Sequence, residues 1–112
     1  MIDSDGGLLR GTLDVLILKA LTWGPRHGYA VAEWVKAVTD EELLLEEGPL
    51  YTALHRLERK GWLTSEWGYS DNNRKAKYYR LTRSGRKRVE RETREWQRTS
   101  AILGRFLAPG ER

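Results

Sequence analysis

Apolar residues recur along this chain with a helical period, then with a strand period, then with a helical period again. Within 8–23, Leu9, Leu13, Leu16, Ile17, Ala20 and Leu21 mark one face of a first helix. Leu8, Thr12, Val15 and Leu18 carry the apolar surface around to a second face. A helix apolar on two sides needs two partners, its own core and a second subunit. Gly24-Pro25 ends it. Residues 29–38 predict a second helix with Tyr29, Val31, Ala32, Val35 and Val38 as its apolar positions and His27 and Gly28 at its entrance. Trp34 lies off that stripe and reads either as exposed or as covered by the long last helix. The acidic segment 39–47 reads as a loop, with Leu43–Leu45 either a short strand or an anchor against the core.

A third helix follows in the stretch 48–62. Leu50, Ala53, Leu54 and Leu57 form its core stripe. At about 100° per residue, Gly48, Thr52, His55 and Arg59 fall opposite, with Tyr51 and Arg56 on the flanks. Pro49 suits the first helical position and Gly61 the stop. The period then shortens to two. Residues 63–69 and 75–81 predict two strands around the turn Ser70-Asp71-Asn72-Asn73. Alternation puts Leu63, Trp67 and Tyr69 on one face and Thr64 and Glu66 on the other; of Tyr78 and Tyr79, one belongs to the core. Thr82 caps a last helix over 83–107, roughly 35 Å long at 1.5 Å per residue. Val89, Thr93, Trp96, Ser100, Leu103 and Leu107 step by four and three, a heptad-like seam that Ile102 and Phe106 widen. Such a helix is too long and too polar to bury itself in so small a domain, so it should project and pair.

Length and charge sharpen this picture. A chain of 112 residues makes one folded domain. The absence of cysteine excludes disulfides, thiolate metal sites and cysteine nucleophiles. Two histidines and scattered carboxylates make no metal site, and no serine stands in a nucleophile context. No catalytic residue and no cofactor is assigned. No signal peptide or spanning segment is visible, so the expectation is a soluble cytoplasmic protein with no membrane contact. Residues 1–50 hold four Lys/Arg against nine Asp/Glu, whereas 51–112 hold sixteen against seven. A basic C-terminal half points to a polyanion, and nucleic acid is the obvious one.

The predicted fold class is therefore mainly α with a small β-hairpin: a winged helix-turn-helix plus a long C-terminal dimerisation helix. Its parts would be a disordered tail (1–7), the winged domain (8–82), the dimerisation helix (83–107) and a short tail (108–112). The chain also resembles the PadR family of bacterial transcriptional regulators. The resemblance rests on LLRGTLDVLILKAL at 8–21, GPRHGYAVAE at 24–33, LEEGPLYTALHRLERKGWL at 45–63 and SEWGYSDNNRKAKYYRLTRSGRKR at 65–88. It implies a homodimeric repressor, in the short form with a single C-terminal helix, binding a near-palindromic double-stranded DNA operator. It also implies that a small planar aromatic ligand could sit between tryptophans at the dimer interface.

On the third helix, Thr52, His55, Arg56 and Arg59 are the candidates for DNA contact. Tyr51 reads either as a phosphate contact or as a packing residue with a polar tip. On the wing the candidates are Asn73, Arg74, Lys75 and Lys77, with Asn73 also a turn former. His27 reads as a structural residue at a helix entrance. The candidate dimer interface and ligand site comprises Leu8, Thr12, Val15, Val89, Trp96, Ser100 and Leu103. The alternative function is a small-molecule-binding or protein-interaction module that dimerises through the last helix.

Overall fold

The computed structural model describes residues 7–110, with side chains from Gly11 onward. Seven elements follow in order: α1 (Gly7–Ala20), β1 (Arg26–His27), α2 (Gly28–Val38), α3 (Glu47–Arg59), β2 (Leu63–Tyr69), β3 (Lys75–Leu81) and α4 (Arg83–Leu107). Both strands of the hairpin and the last helix occupy the predicted ranges. Gly7 begins α1 rather than ending a tail; the rest of the predicted tail, 1–6, lies outside the described residues, as do 111–112. The predicted first helix runs past the observed one, because the chain turns at 21–24 where Gly24 takes φ +139°.

One core holds the three short helices and the sheet together. It contains Leu13, Ile17, Leu18 and Leu21 from the first helix and its turn, Val31 from α2, and Leu50, Ala53, Leu54 and Leu57 from α3. Leu63, Tyr79, Leu81 and Val89 close it from the sheet and α4. Two α1 side chains lie on faces other than the sequence pattern predicts. Leu18, predicted on the second face, is fully buried, while Leu16, predicted in the core stripe, is only half-buried. The helix is rotated so that Leu18 faces its own domain. On α2, the apolar stripe includes Tyr29 and Val38, yet both are exposed; the core is reached only by the middle of that helix. Trp34 is half-buried, packed against Trp23 at 5.7 Å and under the Arg26 guanidinium at 4.6 Å.

The loop at 39–46 forms no strand. Asp40 and Glu41 take positive φ, and the Thr39 hydroxyl donates to the Val35 carbonyl and accepts from the Leu43 amide. Of its three leucines, Leu45 is the anchor against the core and Leu44 is exposed. Pro49 is the third residue of α3 rather than the first, because Glu46 is the N-cap; the amide of that position still needs no helical partner. The other end follows the prediction. Gly61 at φ +82° lets its own amide reach the Glu58 carbonyl and the Trp62 amide reach Leu57, a Schellman stop.

The sheet has a third strand that no pattern of two residues could announce. β1 pairs antiparallel with β3, Arg26 opposite Tyr79 and His27 opposite Tyr78, giving the order β1-β3-β2. Tyr79 is the core tyrosine. The Tyr78 hydroxyl donates to the Tyr69 carbonyl and so ties the wing to itself. Leu63, Trp67 and Tyr69 share a face as expected, but only Leu63 is buried, since the hairpin runs beyond the core toward its turn.

The corner between α3 and β2 is fastened to the corner between β3 and α4. The Thr82 amide donates to the Trp62 carbonyl, and the Thr82 hydroxyl donates to the Gly61 carbonyl and accepts from the Gly85 amide. The Arg88 guanidinium lies 4.7 Å from the Trp62 ring and pairs with Glu92. Beyond this anchorage α4 runs free, and the molecule is 58 Å long but only 28 Å and 23 Å across. The heptad-like seam puts Val89 against a partner. It is instead buried in its own domain, because the first turns of α4 dock on α1.

Candidate nucleic-acid interface

The HGY segment at the entrance of α2 fixes one wall of the candidate interface. His27 caps the helix: its Nδ1 accepts from the Ala30 amide at 3.1 Å, the structural role predicted for it. Gly28 is packed against Tyr51, whose ring would have to shift to admit a side chain here. A Cβ there would stand 2.6 Å from the end of the Tyr51 ring, so α2 and α3 approach through a glycine–tyrosine contact. Tyr51 is half-buried against the core, with its polar end beside Gly28.

An open groove of about 1000 Å³ lies between this wall and the wing. Tyr51 and His55 of α3 line it, with Arg74, Lys75 and Lys77 of the wing. The fold thus brings together five candidates that are far apart in sequence. Thr52 and Arg59 are exposed on α3 outside the groove lining. Asn73 takes φ +61° in the wing turn, where its amide donates to the Ser70 carbonyl; its place is set by the turn. Lys75 Nζ sits 5.2 Å from the Trp67 ring centroid and Lys77 Nζ 5.9 Å from that of Tyr79, so aromatic faces support both cations.

Arg56 departs from the expectation that it faces DNA. Its guanidinium is held by the Asp14 carboxylate of α1, and both side chains are largely covered. Glu58, the nearby carboxylate in sequence, is not its partner; it accepts instead from the Ser65 hydroxyl at 2.6 Å. Burial pushes the Asp14 carboxyl above its ordinary 3.8, against the opposing pull of Arg56 and Lys60 and with a further push from Glu92. Ionised Asp14 therefore costs the folded state stability. That cost grows as pH rises from 3.8 through the raised folded value, and it is absent below both. Asp14→Asn should accordingly gain on the wild type as pH rises across this window. Melting temperatures of the two proteins from acid to neutral pH measure it, and a constant difference would contradict it.

The groove is also lined by Arg26, Tyr29, Glu33, Trp67 and Asp71, none of them predicted there. Sequence periodicity assigns Trp67 and Tyr29 to packing because each continues an apolar pattern. The available signal is position: one stands shortly before the wing turn and the other in the first turn of its helix, both past the reach of a small core.

The candidate dimer residues divide by height along the arm. Thr12, Val15 and Trp96 are half-buried, whereas Ser100 and Leu103 are exposed. Leu8 lies in α1, but its side chain is outside the described residues. Ile102, Leu103, Phe106 and Leu107 form an exposed apolar end to α4, with Phe106 83% exposed.

The sequence and the fold are similar to those of known transcriptional regulators. The sequence model of the transcriptional regulator PadR-like family matches residues 17–91. An uncharacterised protein of Lysinibacillus sphaericus is 30% identical over 107 residues, 96% of each chain. A transcriptional regulator from Clostridium thermocellum superposes with a TM-score of 0.81 at 31% identity, covering 91% of this chain and 99% of that one. A PadR family transcription regulator from Clostridium difficile gives 0.73 at 31% identity, covering 86% and 98%.

Proposed function

The chain belongs to the PadR-like family of transcriptional regulators, and from that premise we propose that it is a homodimeric repressor that binds a near-palindromic operator in duplex DNA. It is a regulator and not an enzyme. The observation that carries the DNA reading is the shared groove, in which His55 of α3 stands beside a wing bearing Arg74, Lys75 and Lys77, with Thr52 exposed on the same helix outside it. In this reading Thr52 and His55 meet base edges in the major groove. Arg59, exposed at the end of α3, and the wing cations meet phosphates. Arg56 drops out of the base-reading set because Asp14 holds it.

The exposed apolar end of α4 supports the homodimer. Two paired arms would set the recognition helices in successive major grooves, roughly 34 Å apart. The half-buried Trp96, with Thr12 and Val15, supports a place for a small planar aromatic ligand between the arms. Such a regulator works in the cytoplasm, where its operator is.

The test is salt-dependent binding to operator DNA recovered from the native host by pull-down. Arg74→Ala with Lys75→Ala should weaken binding to all sequences alike. The slope of log affinity against log salt should become shallower by about 0.9 for each phosphate no longer neutralised. Thr52→Ala should instead change sequence preference. If the double variant keeps both affinity and slope, the wing does not touch phosphate. If the wild type prefers no DNA sequence, the repressor reading falls and the interaction-module alternative replaces it.

A further inference from the structure

The cations account for only part of the groove. Tyr29 is 67% exposed and Trp67 62% exposed, and the two line it from opposite sides, one on α2 and one on β2. Among the described residues neither the Tyr29 hydroxyl nor the Trp67 indole N–H has a hydrogen-bond partner. Two neutral donors on broad apolar rings thus stand uncommitted in a groove whose cations Arg26, Lys75 and Lys77 each have an interaction partner within the protein, while the Arg74 side chain has none among the described residues. Arg26 Nε donates to the Ala20 carbonyl, and Lys75 and Lys77 lie against aromatic rings. Glu33 and Asp71 also line the groove, so its charge is mixed rather than uniformly positive.

A duplex keeps its bases stacked on one another, so side chains beside it meet sugar edges and phosphate oxygens. Flat rings with a single N–H or O–H suit that surface: the ring packs on deoxyribose and the donor reaches a phosphate oxygen. We propose that this groove seats the sugar–phosphate backbone of one DNA strand between Tyr29 and Trp67, two neutral contacts that add affinity without adding salt dependence. This rests on the DNA-binding reading above. A cationic contact displaces counterions and steepens the salt dependence; a hydroxyl or an indole N–H displaces none.

The experiment uses the full chain and a short mixed-sequence duplex, since backbone contacts do not depend on sequence. Affinity is measured over a salt series for the wild type, Tyr29→Ala, Trp67→Ala and the comparator Lys75→Ala. Tyr29→Ala and Trp67→Ala should each weaken binding by about fivefold to tenfold at every salt concentration, with the slope unchanged. Lys75→Ala should make the slope shallower by about one. Tyr29→Phe and Trp67→Phe keep a ring and remove the donor, and each should show part of the loss. Because both side chains are exposed, melting temperatures should stay at the wild-type value, which excludes unfolding as the cause. Unchanged affinity in both alanine variants overturns the proposal while leaving DNA binding intact. A shallower slope in the Trp67 variants also overturns it, since Trp67 would then act only by supporting Lys75. A wild type that binds no duplex overturns this proposal and the DNA-binding reading together.

Discussion

Gly85→Ala should destabilise the protein by about 3 kcal/mol or more, a large share of what so small a domain has. A Cβ at this position would lie 2.0 Å from the Trp62 carbonyl oxygen and 3.0 Å from its carbon. Neither atom is free to retreat. The same carbonyl accepts from the Thr82 amide, and the Trp62 amide is spent on the Schellman stop at Leu57. Relief would require the first turn of α4 to lift off the α3–β2 corner, taking the Thr82 bonds with it. Urea denaturation measures the effect, with Gly11→Ala as the control. Gly11 is an exposed helical glycine with nothing within 4 Å of its added Cβ, and alanine there should add about 1 kcal/mol. A Gly85→Ala protein within about 1 kcal/mol of wild type, on the scale of ordinary substitutions, would mean that the two corners do not touch as described.

The second large effect concerns the arm. Leu103→Asp combined with Phe106→Asp should leave the winged domain folded and abolish the dimer. Both residues are exposed on the outer part of α4, which lies beyond the buried Val89, so the core keeps all its packing. Two carboxylates facing their own copies across a twofold axis would oppose association. Light scattering should report a monomer at an unchanged melting temperature for the winged domain. Operator affinity should fall by about a hundredfold or more, because the second half-site is no longer engaged intramolecularly. A variant that remains dimeric would place the interface elsewhere, with α1 the next candidate surface.

Much of this architecture is visible in the pattern of apolar residues, and the exceptions share a cause. The hairpin strands and α4 have predictable bounds because each is delimited by local chemistry: the Ser70–Asn73 turn, the Thr82 cap, and the run of charge after Arg83. Periodicity puts Leu18 on the wrong face of α1, and it cannot tell that Tyr29 and Trp67 are exposed and Val89 is buried, because it names a face without saying how far the core extends behind it. In a domain this small the core ends partway along α2 and the hairpin, and it reaches into α4 as far as Val89. The β1 strand has only two residues, too few for a period, and its existence depends on β3 being there to pair with. Arg56 is misread for a related reason. Helical spacing locates it on a flank, but only the packing of α1 against α3 supplies Asp14, forty-two residues earlier, as its counter-charge. The groove itself is a product of assembly, since its walls come from α2, α3 and the wing.

The fastened corner at Gly61, Trp62, Thr82 and Gly85 ties α4 to the end of α3, so in the proposed dimer the arm would act as a lever on the helix proposed to read DNA. In a dimer joined through the far ends of α4, the lever is about 37 Å long at 1.5 Å per residue over its 25 residues. A tilt of about 5° at the corner moves the opposite end by about 3 Å, close to the rise of one base pair. The distance between half-sites would then be gauged at this corner. Substitutions there that preserve folding would retune the preferred operator spacing by whole base pairs while leaving the sequence of each half-site as it was.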